Sequence, residues 1–149
     1  MNVFISHSLN DGILLNAIAE RIKAWGHTPK YAEQETVADD VSPKIQKLID
    51  ESKFFLLLFT KKASESQFVN QEIGYAQKAK LPIFILKEDG VELNGFIHSH
   101  DCMTIKSGAD LSPLKNAIEK HESKLTQNAG VTILSIIGGL ALLSAFSKN

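Results

Sequence analysis

The run FFLLLFT, Phe54 to Thr60, is the feature that most constrains the fold. It is apolar at successive positions, so an extended segment there would bury both of its sides. Strands buried on both faces are typical of parallel sheets that helices cover above and below. The run therefore predicts the central strand of a parallel sheet.

Other strands flank this run along the chain. VFIS, Val3 to Ser6, and PIFIL, Pro82 to Leu86, are short, β-rich and apolar, and a weaker strand is expected at Met103 to Ile105. A brief extended segment, HTPKYA, precedes the central run. Among the first four of these strands along the chain, each is separated from the next by a segment that predicts a helix.

Capping residues mark where these helices begin and end. Asp11 is the expected N-cap of the first helix and Gly26 its stop, and Ser42, Ser66 and Ser112 begin three more. Alternation of strands and helices predicts the α/β class with a doubly wound parallel sheet.

Size and charge exclude some functions. The chain has 149 residues, enough for one domain with an appendage, and its 16 Lys+Arg against 17 Asp+Glu give a net charge of -1. Nucleic-acid partners are therefore not expected. A single cysteine, Cys102, and the absence of a secretory signal favour the cytoplasm. His98, His100 and Cys102 lack a fourth ligand at metal spacing, so no metal site is predicted.

The tail differs in kind from the rest. No residue from Leu125 to Ser147 is charged, and AGVTILSIIGGLALLSAF supplies about 18 mostly apolar residues, near the minimum for a membrane span. We expect a domain at 1–125 and a hydrophobic tail helix at 126–149. Two interpretations stay open: an anchor in the inner membrane with the domain on the cytoplasmic side, or an oligomerisation helix buried against a partner subunit.

One carboxylate lies in an unexpected place. In SQFVNQEIGYA, Ser66 to Ala76, helical geometry puts Glu72 between two apolar arcs. A carboxylate among apolar neighbours is costly unless it is paired or faces a cleft, which favours a pocket acid. The alternative is a surface glutamate paired with Lys78 or Lys80.

Three segments together resemble the TIR (Toll/interleukin-1 receptor) domain family, in particular its bacterial defence members: VFISHSLND, AEQETVADDVSPKIQKLIDESKFFLLLFT and SQFVNQEIGYA. The resemblance covers residues 1–120 and implies a flavodoxin-like sheet. Many members cleave NAD at the nicotinamide–ribose bond, with a catalytic glutamate four residues after an aromatic. Phe68 and Glu72 occupy those positions, which implies that Glu72 is catalytic, that Phe68 lies beside the substrate, and that NAD is the substrate with no further cofactor.

The resemblance also implies a substrate loop after the first strand, here Ser6, His7 and Ser8. Some members have an arginine where this chain has Ser8. A histidine in such a loop can be a pocket wall or simply solvated. The loop Ala32 to Val41, the BB loop of the family, has no glycine and carries Asp39 where glycine is common.

In the family, activity depends on self-association of TIR domains, so we expect NAD cleavage on oligomerisation, in prokaryotic antiphage defence, with a separate sensor or effector protein as a further partner. Other functions stay open: a non-catalytic interaction module, a membrane-disrupting effector acting through the tail, or an enzyme like the nucleoside deoxyribosyltransferases.

Overall fold

The computed structural model describes residues 1–33, 41–93 and 95–146, with side chains described as far as Gly130 and not at Phe96. Predictions about Asp39 and most of the BB loop fall outside this range. The strands are β1 (Asn2–Ser6), β2 (Thr28–Lys30), β3 (Phe54–Phe59), β4 (Ile83–Glu88) and β5 (Asp101–Ile105). The helices are α1 (Gly12–Ala24), α2 (Pro43–Asp50), α3 (Lys61–Ser64), α4 (Gln67–Lys78) and α5 (Ser112–Phe146).

The five strands form one parallel sheet in the order β2-β1-β3-β4-β5. This is the flavodoxin-like order, and it confirms the predicted α/β class. All six residues of β3 are buried, as its apolar run predicted. From β1 the chain adds β2 on one side and then β3, β4 and β5 on the other, so the strand order reverses between β1 and β3. The crevice beyond the carboxyl ends of these two strands is the expected ligand site of such a fold.

Alternate strand residues separate two cores. On one face, strand and helix side chains form a cluster that includes the stacked rings of Phe4 and Phe55, 5.5 Å apart. Its other members come from α2, α3, α4, the strands and the 3-10 turn Gly95–Ser99: Ile45, Ile49, Leu57, Phe59, Ala63, Val69, Ile73, Ala76, Ile83, Ile85 and Ile97. The intervening residues of the strands, such as Val3, Ile5 and Leu56, point to the opposite face. The sheet is thus covered on both sides.

Helix ends follow the sequence signals closely. Ser42 and Ser66 accept backbone N–H groups of Ile45 and Val69 at 3.4 and 3.3 Å, so both predicted N-caps are confirmed. Gly26 has φ of +84°, the left-handed conformation that ends α1 and that glycine adopts most easily.

The last two predicted helices form a single one. We expected a helix that begins at Ser112 within the domain and a separate tail helix at 126–149, whereas α5 runs without a break from Ser112 to Phe146. No proline interrupts the segment, and a single glycine such as Gly130 costs a helix only about 1 kcal/mol. Contacts divide the chain into compact units at Met1–Lys115 and Asn116–Asn149, and the predicted boundary after residue 125 falls inside α5.

The membrane anchor predicted for residues 126–149 receives no support. Within the part of the chain whose side chains are described, no helix is long and apolar enough to cross a bilayer. Most of the side chains on which that prediction rests, from Val131 onward, lie outside the described residues.

The core makes a stability prediction with a matched control. Ile49 on α2 is fully buried, whereas Ile13 on α1 is 91% exposed. Ile49→Ala should lower the free energy of unfolding by about 2–5 kcal/mol, because it leaves a cavity, and Ile13→Ala should change it by less than about 0.5 kcal/mol. Urea unfolding of both variants measures the difference. Equal losses would mean that α2 is not packed as described.

Candidate active site

Glu72 lies inside the apolar face of α4. Its neighbours on that face, Val69, Ile73 and Ala76, are buried, and Glu72 itself is only 6% exposed. The interpretation of Glu72 as a surface residue paired with Lys78 or Lys80 is therefore wrong, since those two lysines are exposed. A carboxylate therefore occupies a position in the core, where it needs hydrogen bonds to compensate for its lost hydration.

Ser6 supplies one of those hydrogen bonds. Its Oγ donates to Glu72 Oε2 at 2.5 Å, and Ser6 is fully buried. Ser6 is the last residue of β1 and follows Phe4 by two positions, so its side chain points to the sheet face that α4 covers. Strand alternation therefore brings the hydroxyl to the glutamate.

The loop after Ser6 holds the other two predicted residues of this segment. Ser8 is 4% exposed, and its hydroxyl accepts the N–H of Asn10 at 3.3 Å, which caps a 3-10 turn at Leu9–Asp11. His7 is half-buried, with Nδ1 3.4 Å from the carbonyl oxygen of Ile5. These residues lie at the carboxyl edge of the sheet, where the sequence placed them.

An aromatic contact orients His7. Its ring meets that of Tyr31 edge to face, with centroids 6.1 Å apart and planes at 89°. Tyr31 follows β2, so the pair joins the ends of two neighbouring strands. The His7 ring is therefore in contact with a second ring and is not surrounded by solvent alone.

Phe68 is half-buried and lies one helical turn before Glu72 on α4. The structure therefore brings Ser6 and Glu72 into direct contact, keeps His7 and Ser8 in the adjoining loop, and places Phe68 along the same helix.

A second polar pair was missed by the sequence reasoning. Asp11 precedes α1 as predicted, yet its carboxylate does not cap the helix. Instead, Thr60 donates to Asp11 Oδ2 at 2.6 Å, and the same hydroxyl accepts the N–H of Ala63 at 3.0 Å to cap α3. Asp11 follows β1 and Thr60 follows β3, which are neighbouring parallel strands. The predicted adjacency of these strands was the sequence signal that could have indicated contact between the two residues.

The pair lines a cavity of about 530 Å³ at the carboxyl edge of the sheet. Its lining includes two apolar side chains, two lysines and two glutamates: Leu14, Ile105, Lys61, Lys62, Glu65 and Glu88. Ser6 and Glu72 are not among the described residues that line it. The volume is in the range of small-molecule sites, but Glu72 occupies a different place.

Two polar contacts fix α4 to the elements beside it. Tyr75 donates its hydroxyl to the carboxylate of Asp50, 3.1 Å from each oxygen, which links α4 to the end of α2. Partial burial, and then the Asp50 carboxylate, raise the pKa of Tyr75 above its ordinary value. Gln77 Nε2 lies 3.3 Å from His100 Nε2. The helix that carries Glu72 is therefore held at more than one point.

No group of three or more His, Cys, Asp or Glu side chains in the described ranges is arranged to hold a metal ion. His98, His100 and Cys102 do not form such a group.

A parallel sheet in the flavodoxin-like order places this chain among the doubly wound α/β proteins, a fold class whose usual ligand site is the crevice beyond the carboxyl ends of the strands. Within this class the sequence is more specific. Residues 3–114 match the family described as TIR domain, and the chain belongs to that family.

Among solved structures, the CMP N-glycosidase BcmB of Clostridium botulinum has a similar fold. The match has a TM-score of 0.53 and 16% sequence identity, and it covers 76% of this chain and 98% of that chain. At this identity the likeness concerns the fold. No curated protein matches the chain in sequence at a significant level.

Removing the Thr60 hydroxyl should destabilise the crevice. Thr60→Val keeps the side-chain shape but leaves the Asp11 carboxylate and the Ala63 N–H without this partner, and should cost about 1–3 kcal/mol of unfolding free energy. Thr28→Val, at an exposed position of β2, is the control and should be nearly neutral. Urea unfolding compares the two, and equal effects would contradict a structural role for the Thr60 hydroxyl.

Proposed function

We propose that this TIR domain is an enzyme that cleaves the N-glycosidic bond of NAD between nicotinamide and ribose. The observation that carries the proposal is the buried Glu72 carboxylate on α4, hydrogen-bonded to Ser6 at the edge where ligands bind in this fold. Membership in the TIR family supports glycosidic chemistry, and so does the fold likeness to a nucleotide N-glycosidase.

The reaction needs a fixed anion more than a proton donor. When the bond from ribose C1′ to the nicotinamide nitrogen breaks, its electron pair neutralises the positive charge of the pyridinium ring. The ribose is left as an oxocarbenium-like cation, which a carboxylate in a poorly hydrated site stabilises. Glu72 is suited to this role because it is nearly inaccessible to water.

The ribose diol gives the same carboxylate a second role. Its two hydroxyl groups can donate to Glu72 and hold C1′ close to the negative charge. Water then adds to C1′ and releases a proton to solvent, giving ADP-ribose, or an internal nucleophile gives a cyclic product or a conjugate.

Other residues would shape the pocket. Phe68, half-buried one turn before Glu72, offers an aromatic surface for the nicotinamide or ribose, and His7 with Tyr31 forms a wall on the β2 side. Self-association is part of the proposal, since the family commonly assembles, and NAD depletion of this kind fits a role in prokaryotic defence.

A pyrimidine nucleotide is the second candidate substrate. The similar fold belongs to an enzyme whose printed name is CMP N-glycosidase. The first step is the same, with departure of a base from ribose, so the same carboxylate could serve. NAD is preferred here because of the Phe68 and Glu72 spacing on α4.

The test is base release from NAD and, in parallel, from CMP, across a range of protein concentrations that favours assembly. Glu72→Gln keeps the shape but removes the charge, and should lower the rate by at least about a hundredfold. Glu20→Gln, at an exposed position on α1, is the matched control and should retain full activity.

Nicotinamide release by the unchanged protein and by Glu20→Gln, together with its loss in Glu72→Gln, would support the assignment as an NAD-cleaving enzyme. Release of cytosine but not nicotinamide would move the assignment to a pyrimidine nucleotide. Absence of both activities at every concentration, or full activity in Glu72→Gln, would overturn the glycosidase proposal and favour a non-catalytic interaction module.

A further inference from the structure

Ser6 was expected to bind substrate, yet its position does not fit that role. It is 0% exposed, whereas Glu72 is 6% exposed, so a substrate that reaches the carboxylate does not reach the Ser6 side chain without displacing structure. It pairs with Leu57 of β3 in the sheet and shares a face with Phe4. An apolar residue would be the ordinary choice at such a position.

The hydrogen-bond capacity of serine leads to the same conclusion. A hydroxyl group has one proton to donate, and that of Ser6 is donated to Glu72 Oε2. It therefore has no proton left to donate to a phosphate or a ribose oxygen. The role of the Ser6 hydroxyl is therefore to hold the Glu72 carboxylate by a hydrogen bond.

From these two facts we infer that Ser6 is a positioning residue for Glu72: its hydroxyl fixes the orientation of the carboxylate and favours the ionised form that the reaction uses. This inference rests on the function proposed above and adds how a core residue orients the catalytic carboxylate of that site. A hydrogen bond to the charged form of a buried acid stabilises that form, in opposition to burial. Ser6 thus makes a buried anion possible at this place.

The geometry gives the bond a further property. Ser6 is the end of a strand held by parallel pairing to β3, and Glu72 is on a helix that buries Val69, Ile73 and Ala76. Both partners are therefore fixed by the core before any substrate arrives. Preorganisation of this kind means that the carboxylate need not reorient when charge develops on the ribose.

A pair of substitutions separates the hydroxyl from the volume of the side chain. Ser6→Thr and Ser6→Val add nearly the same bulk, but only threonine keeps a donor for Glu72. We expect Ser6→Val to lower kcat by about tenfold to a hundredfold relative to Ser6→Thr, with KM changed by less than about threefold. The acid limb of the kcat–pH profile should move to higher pH in Ser6→Val, because the ionised form of Glu72 loses a hydrogen-bond donor.

A second readout does not depend on activity. The full-length protein labelled with carbon-13 at glutamate side chains gives a carboxyl NMR signal for Glu72, assigned by its absence in Glu72→Gln. The midpoint of its titration should be higher in Ser6→Val than in Ser6→Thr. If the titration shifts but neither NAD nor CMP is cleaved by any form of the protein, the positioning role stands and the proposed function fails.

Other results would overturn the inference. Equal kcat, equal KM and equal Glu72 titration in the threonine and valine variants would show that the hydroxyl does not act on the carboxylate. A rise in KM with unchanged kcat and pH profile would return Ser6 to substrate binding. A common loss of unfolding free energy, without a difference in titration, would leave Ser6 as a packing residue only.

Discussion

The burial of β3 on both faces is the constraint on which the rest of this molecule depends. All of its residues, Phe54 to Phe59, are buried, so neither face of the sheet can be exposed to water. Parallel neighbours and helices above and below are the arrangement that satisfies this requirement. Each fully buried residue of this size contributes about 1.5–3 kcal/mol relative to exposure, so the strand makes a large contribution to stability.

The candidate site is a consequence of that layered core. Because side chains alternate along β1, the residue two positions after Phe4 must face the layer that contains α4. That residue is Ser6, and the helix presents Glu72 to it. The same alternation that packs the apolar residues therefore places the polar pair. Because one partner is on a strand and the other on a helix, the distance between them does not depend on the conformation of a loop.

Much of this could be predicted from the sequence, and the reasons are local. The apolar run of β3, the Ser42 and Ser66 caps and Gly26 act through backbone geometry over a few residues, and each has the predicted position. Helical spacing also indicated that Glu72 lies between apolar arcs. Its burial could not be decided from the helix alone, because Lys78 and Lys80 are close enough in sequence to offer a surface alternative.

Contacts between distant segments were harder to predict. The hydrogen bonds of Ser6 with Glu72 and of Thr60 with Asp11 join residues separated by 66 and 49 positions. Periodicity gives the face of a strand or helix, but not which partner stands opposite. Asp11 is at the predicted N-cap position of α1, but its carboxylate accepts from Thr60 and does not cap the helix, and a sequence does not distinguish these two uses of an aspartate. The continuity of α5 past residue 125 was missed because the change from charged to apolar residues there suggested a boundary, although no proline interrupts the helix.

The Ser6–Glu72 pair also bears on how selection acts on this chain. Apolar residues of similar size at both positions would keep the layer packed, and replacing a buried charged or polar pair in this way is often neutral or stabilising. Folding alone gives no reason to retain a serine and a glutamate there. Stability and activity therefore favour different residues at these two positions, and a search for more heat-resistant variants should tend to discard the pair.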